Sequence, residues 1–204
     1  MVRHGETDWN HTKLAQGHAE VDLNDAGRAQ AEAAAATLAD ERIDAVYSSD
    51  LARAVDTARP IADARGVPVV TDAAFREIDQ GEWEGLHVDV IKERWPELWG
   101  PARHSTARPG GEAPADVRTR ALEGIRRIVE SHPEGVVVIV SHGGTIRWLS
   151  AEALGYDDER SANIRGLSNG GIVTFDARLE DGRVMLENLV RMDGATTDLD
   201  DPND

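Results

Sequence analysis

Hydrophobic positions along this chain fall into two spacings, and the spacing predicts the elements. Residues 136–141 form an almost unbroken β-branched run, as expected of a central strand covered on both faces. Residues 45–48 and 67–70 read as further short strands. Between them the period lengthens to that of a helix. Residues 115–130 put Val117, Ala121, Ile125, Ile128 and Val129 on one face, and residues 145–154 turn Ile146, Leu149, Ala153 and Leu154 inward. Residues 25–40 are alanine-rich behind a capping Asn24, with Ala26, Ala29, Ala33 and Ala36 spaced to pack on a neighbour. Residues 51–65 predict a helix that Pro60 either kinks or restarts. Two late strands, 171–178 and 184–191, flank the turn Glu180-Asp181-Gly182. Strands alternating with helices predict an α/β fold, a three-layer α/β/α sandwich on a mostly parallel central sheet.

Residues 71–113 resist this reading. They hold Trp83, Trp95 and Trp99, a short predicted helix over 88–95 and a Pro/Gly-rich stretch over 100–111. A connection this long often serves as a lid or specificity loop, and residues 86–112 are assigned that place. No repeat or linker interrupts the chain, so residues 1–192 read as one domain.

Composition narrows the class. With 40% hydrophobic and 29% charged residues over 204 positions, the chain is an ordinary globular protein able to bury a core. It has no cysteine, which excludes disulfides and thiolate metal sites. Arg3, Glu6, Asp8, Lys13 and Glu20 break up the first twenty residues, so no signal-peptide core fits there. The run 136–140 is too short to span a bilayer, and a cytoplasmic location is expected. Net charge is −16, and four of those charges lie within residues 198–204, so 193–204 reads as an acidic, disordered tail. Such a balance argues against nucleic acid or anionic membrane as partners. It also denies an anionic substrate any long-range steering, so a phosphate site must be a local cluster of cations.

Two of the seven histidines stand out. His4 lies in Arg3-His4-Gly5-Glu6-Thr7, and His142 in Ser141-His142-Gly143-Gly144. Each follows a predicted strand and precedes a glycine that lets backbone approach a ligand. Ligands of parallel α/β sheets collect beyond the carboxyl ends of the strands, so both histidines can converge on one crevice. A metal site is the rival reading, but no His-Glu-x-x-His or clustered His/Asp spacing supports it.

Arg3-His4-Gly5-Glu6-Thr7-x-x-Asn10 resembles the signature of the histidine phosphatase superfamily, which includes the cofactor-dependent phosphoglycerate mutases. The likeness continues through Gln16-Gly17, through Leu23-Asn24-Asp25-Ala26-Gly27-x-x-Gln30-Ala31 and through Ser48-Ser49-Asp50-Leu51-x-Arg53-Ala54-x-x-Thr57-Ala58. It extends to Arg76-Glu77-Ile78 with Gly81-x-Trp83-Glu84-Gly85, and to Val140-Ser141-His142-Gly143-Gly144-x-Ile146-Arg147. These blocks span roughly residues 2–178 in order. The resemblance implies a phosphoglycerate mutase-like fold and catalysis by His4, Glu77, His142, Arg3 and Arg53. Asn10, Gln16, Gly17 and Gly143 would contact the substrate, a small-molecule phosphate ester, with neither cofactor nor metal. Its partners end there, the protein being a monomer or homodimer.

The residue types suit this chemistry. Neutral imidazole attacks phosphorus in line and gives a phosphohistidine that water hydrolyses. Arg3, Arg53 and His142 around His4 disfavour its cationic form, and the arginine forks match phosphate oxygens. Asn10 supplies a neutral donor, and the helix opening after Gly143-Gly144 supplies backbone N–H groups. Glu77 is the expected general acid, its proton held in place by repulsion from the phosphate dianion. Arg103, His104 and Arg108, in the long connection, read either as contacts to the substrate beyond the phosphate or, the favoured reading, as solvated loop residues; Trp83 reads as core, and Arg147 as a structural packing or pairing residue.

Three functions compete. Phosphoglycerate mutases typically carry Glu-Arg-His-Tyr-Gly then Leu-Gln-Gly around the acid, and an adjacent arginine pair in the insertion. This chain has Glu77-Ile78-Asp79-Gln80-Gly81-Glu82-Trp83-Glu84-Gly85, the form resembling phosphatases. A catalytically inactive binding module is disfavoured because the expected catalytic positions are all filled. One departure stands out: only Met1 and Val2 precede the Arg-His-Gly turn where the family has a longer apolar strand. The expectation is a longer native form or a weakened first strand.

Overall fold

The computed structural model describes residues 1–99, 105–161 and 164–192. Arg103, His104 and the expected tail at 193–204 lie outside the described residues. In chain order the elements are β1 (Val2–Arg3), α1 (Asp8–His11), α2 (Asp25–Thr37), β2 (Ala45–Ser48), α3 (Ala52–Asp63), β3 (Val69–Thr71) and α4 (Val88–Arg94). They continue with α5 (Pro114–Ser131), β4 (Val137–Ser141), α6 (Gly143–Ala153), α7 (Asp158–Ser161), β5 (Val173–Glu180) and β6 (Arg183–Arg191).

Four strands form a parallel sheet in the order β1-β4-β2-β3, with the β-branched β4 inside it as its sequence requires. β5 and β6 make an antiparallel ribbon. The ribbon adjoins the sheet beside β1: Val2 bridges Ile172, Arg3 N donates to Gly171 O at 3.0 Å, and Val173 N donates to Met1 O at 3.0 Å. The two-residue first strand is thus held on both edges. Asp181 and Gly182 at the ribbon's turn have φ of 49° and 76°, the left-handed pair that a tight hairpin turn requires.

Alternation along the central strands sorts the core into two layers. Val138 and Val140 pack with Ala34, Leu38, Ala54, Ala58 and Ile61 of α2 and α3. Ile139 points the other way and packs with Ala121, Ile125, Ile146 and Leu149 of α5 and α6. This is the expected three-layer α/β/α sandwich.

Details differ from the pattern-based reading. α2 buries Gly27, Ala31 and Ala34, followed by Leu38, while Ala26, Ala29, Ala33 and Ala36 are exposed. In a helix so rich in alanine, periodicity does not mark the inward face; the larger anchor Leu38 and the bare backbone of Gly27 set it. α3 runs continuously through Pro60. β3 begins two residues late because Val67 N donates to Ala62 O and so belongs to the end of α3. Among the described residues, no helix is long and apolar enough to cross a membrane.

Candidate active site

β1 and β4 are parallel neighbours with Arg3 opposite Ser141, so the residues that follow each strand emerge side by side. Those residues are His4 and His142. Their ring centroids lie 5.1 Å apart with planes tilted 56°. His4 is 3% exposed and His142 fully buried. The His4 backbone N donates to Ser141 O at 2.9 Å, and its carbonyl accepts from Asn169 Nδ2 at 3.0 Å. Gly5 N donates to Thr57 Oγ1 at 3.0 Å, which ties the loop to α3.

The His4 ring has a defined tautomer. Its Nδ1 lies 2.7 Å from Gly5 O, and a carbonyl only accepts, so Nδ1 carries the proton and Nε2 keeps its lone pair. Burial, then Arg53, then Arg3 hold the His4 pKa well below the ordinary 6.5. Burial and Arg53 do the same to His142.

Arg53 lies in the first turn of α3 and is 1% exposed. Its terminal nitrogens donate to Ala19 O and Gly17 O, each at 2.8 Å. Arg3 donates through Nη1 to Leu167 O. Arg3 Nε, Arg53 Nε and both His142 ring nitrogens are buried without a hydrogen-bond partner. The two guanidinium Nε–H groups and the single N–H of a neutral His142 fit an anion, since leaving such buried donors unpaired costs roughly 1–3 kcal/mol each. Among the described residues, no group of three or more metal-ligating side chains could hold a metal ion.

Glu77 faces the opening of α6. Its Oε2 accepts from Gly144 N and its Oε1 from Ile78 N, both at 3.0 Å. A Cβ on Gly144 would overlap Oε1, so only glycine there admits this carboxylate. Asn10 closes a capping box with Thr7, accepting on Oδ1 from Thr7 N at 3.1 Å, which leaves its amide nitrogen to donate. Arg3, Asn10, Glu77 and Gly143 line a cleft of about 440 Å³. The same cleft is lined by Trp9, Trp83, Trp99 and Trp148, with Lys13, Arg108 and Arg147.

The structure redistributes some expected contacts. Gln16 and Gly17 are buried and do not line the cleft; Gly17 instead turns its carbonyl to Arg53. Its φ of +51° makes that turn natural for glycine. Arg108 is not solvated: it is 7% exposed, with its guanidinium 4.9 Å from the Trp83 ring. Trp83 is buried as expected and also reaches the cleft. Three contributors escaped the sequence reading. His18 Nε2 donates to Glu77 O at 2.9 Å, Arg120 grips the same carbonyl at 2.8 Å, and Thr145 Oγ1 donates to Arg76 O at 2.7 Å. None sits in a motif that marks it. The position of His18 directly after Gln16-Gly17 is the one available signal.

Known proteins resemble this chain in sequence and in shape. The model of the histidine phosphatase superfamily (branch 1) matches residues 1–189. Phosphoserine phosphatase 1 of Hydrogenobacter thermophilus is 35% identical over 160 residues, covering 77% of this chain and 76% of that protein. Glucosyl-3-phosphoglycerate phosphatase of Mycolicibacterium vanbaalenii is 35% identical over 189 residues, covering 85% and 81%. A mycobacterial glucosyl-3-phosphoglycerate phosphatase solved with VO3 superposes with a TM-score of 0.85 at 32% identity, covering 93% of this chain and 95% of the other. Matched along nearly its full length, and built on the same architecture as these phosphatases, the chain belongs to the histidine phosphatase superfamily, branch 1.

Proposed function

We propose that this protein hydrolyses small-molecule phosphomonoesters through a phosphohistidine on His4, with Glu77 as general acid and then general base. The observation that carries the reading is the His4 ring: neutral, with Nε2 unprotonated, beside two arginines and a second neutral imidazole. In the first step His4 Nε2 bonds to phosphorus, and the bond to the ester oxygen breaks. The electron pair leaves with that oxygen, which takes the proton of Glu77. In the second step water attacks the phosphohistidine, its proton passes to Glu77, and His4 leaves as free imidazole with inorganic phosphate. Arg3, Arg53 and His142 hold the phosphoryl oxygens as their charge shifts. Asn10 and the backbone at Gly143 serve the same group. Positive charge from the arginines already meets the phosphate, so the reaction needs no metal.

The leaving group occupies the tryptophan-lined cleft. Lys13, Arg108 and Arg147 place cationic charge along it, which suits an ester whose alcohol carries a carboxylate. The relatives named for phosphoserine and glucosyl-3-phosphoglycerate act on esters of that kind. Residues 1–192 form the catalytic domain in this reading.

The test is phosphate release from a panel of phosphomonoesters with and without a carboxylate, in chelator. Quenching the labelled enzyme in alkaline denaturant, where a phosphohistidine survives and a phosphoserine ester does not, should trap phosphate on His4. Interconversion of phosphoglycerates dependent on bisphosphoglycerate, with little phosphate release, would favour a mutase. Absence of turnover on every ester would leave a binding module.

A further inference from the structure

We infer that Arg120 of α5 is a positioning residue for Glu77, and that through Glu112 it couples the end of the 86–112 connection to the acid. The inference rests on Glu77 acting as the general acid.

Glu77 sits where the backbone has no regular element. Residues 76–80 follow a short 3₁₀ turn and precede another, so no strand ladder or helix fixes their carbonyls. One guanidinium supplies most of what a ladder would, with His18 Nε2 also on Glu77 O and Thr145 Oγ1 also on Arg76 O. Arg120 Nη1 donates to Ala74 O and Arg76 O, and Nη2 to Glu77 O, each at 2.8 Å. A shift of this strut would move the Glu77 backbone and swing its carboxylate away from Gly144 N.

The remaining edge of the guanidinium faces Glu112. Nε lies 3.0 Å from Oε1 and Nη2 3.0 Å from Oε2, a two-pronged pair. Glu112 Oε2 also accepts from Asp79 N at 2.9 Å, and Glu112 N donates to Asp79 O at 3.1 Å. Glu82 N donates to Pro109 O at 2.8 Å beside this clasp. The end of the long connection and the acid-bearing segment are therefore laced together. The two partners are 22% and 25% exposed, and the guanidinium charge is met by a carboxylate, so its effect on Glu77 is one of placement.

Placement predicts a signature that lost stability does not. Alkyl phosphates need a proton on the departing oxygen and aryl phosphates barely do. A carboxyl displaced by about 1 Å can cost on the order of 100-fold in the step it serves. In the full chain, Arg120→Lys keeps the charge but cannot span three carbonyls and a carboxylate. Its kcat on glycerol phosphate should fall about tenfold or more, with kcat on p-nitrophenyl phosphate changed less than about threefold and KM for both nearly unchanged. Glu112→Gln, which retains an acceptor for Asp79 N, should shift the ratio the same way but less. In a Glu77→Gln background Arg120→Lys should change the ratio no further.

The controls separate the two claims. If Glu77→Gln does not discriminate alkyl from aryl esters, the acid reading fails and this inference with it. If Glu77→Gln discriminates but Arg120→Lys and Glu112→Gln lower both esters equally, Arg120 is structural only and the inference is overturned. Should Arg120→Lys fail to fold, Glu112→Gln decides by the same ratio.

Discussion

His142 holds its ring centroid 5.1 Å from that of His4 because β1 and β4 pair in parallel and end in register. Both rings are buried, and both are kept neutral by desolvation and by Arg53. A site built this way gains an unprotonated imidazole at neutral pH at the cost of burying polar nitrogens without a hydrogen-bond partner.

The first prediction concerns His4 itself. Ring titration followed by NMR should show His4 neutral down to pH values well below 6.5. Arg53 is the largest contributor after burial, so Arg53→Met should raise the His4 pKa toward its ordinary value. The same variant should lose about 100-fold in kcat/KM, as expected for removing one preorganised donor. A His4 ring that titrates near 6.5 in the native protein would contradict the proposed nucleophile.

Acid sensitivity follows from the same pair. The folded-state pKa of each histidine is depressed, so below 6.5 the unfolded chain binds protons that the native chain does not. Stability is therefore full above that value and falls as pH drops toward the folded values, by up to about 1.4 kcal/mol per pH unit per group. The buried Met1 amine, lowered by desolvation from 8.0 to about 5, adds a slope of the same sign between those values. His142→Asn isolates the histidine share: urea unfolding between pH 7 and 5 should show a shallower fall than in the native protein. An unchanged slope would mean that His142 is protonated in the folded state.

Much of this arrangement is legible in the sequence. The β-branched run of β4 and the strand-end glycines place two histidines at one sheet edge by topology alone. The motif blocks add Arg3, Arg53 and Glu77. What stayed hidden depends on contacts between distant segments. Arg120 lies on α5 outside the apolar stripe, and its four partners are carbonyls and a carboxylate that no residue pattern announces. Arg108 looked like a loop cation, but the Trp83 ring covers it. Gln16-Gly17 is legible as a motif, but the bond from Arg53 to the Gly17 carbonyl is not, because a carbonyl that anchors an arginine leaves no side-chain trace.

Gly144→Ala offers a second test of the proposed acid, Glu77. The added methyl would overlap Glu77 Oε1 and lie 3.1 Å from the Trp148 ring. Glu77 is a flexible side chain, so the carboxylate yields and the fold survives. Activity on alkyl phosphates should fall at least about tenfold while aryl phosphates change little. Parallel assays on glycerol phosphate and p-nitrophenyl phosphate read the effect, and equal losses would show that the methyl blocks the phosphate site instead.

Gly27→Ala tests how the His4 loop is seated. Gly5 and Gly27 pack backbone to backbone: a Cβ on Gly27 would lie 2.8 Å from Glu6 N and overlap Glu6 O, and one on Gly5 would lie 2.8 Å from Gly27 C. Main-chain atoms on both sides have no rotamer to change, so α2 or the loop after His4 must move. Overpacking of this kind costs about 1–3 kcal/mol, and a lower urea midpoint should report it. The displaced loop should also lower kcat on aryl as well as alkyl esters, since a misplaced His4 slows attack whatever the leaving group. Ala29→Ser, on the exposed face of the same helix, should change neither quantity appreciably. If Gly27→Ala left both the midpoint and kcat at native values, the close seating of α2 on the His4 loop would not be what holds His4 in place.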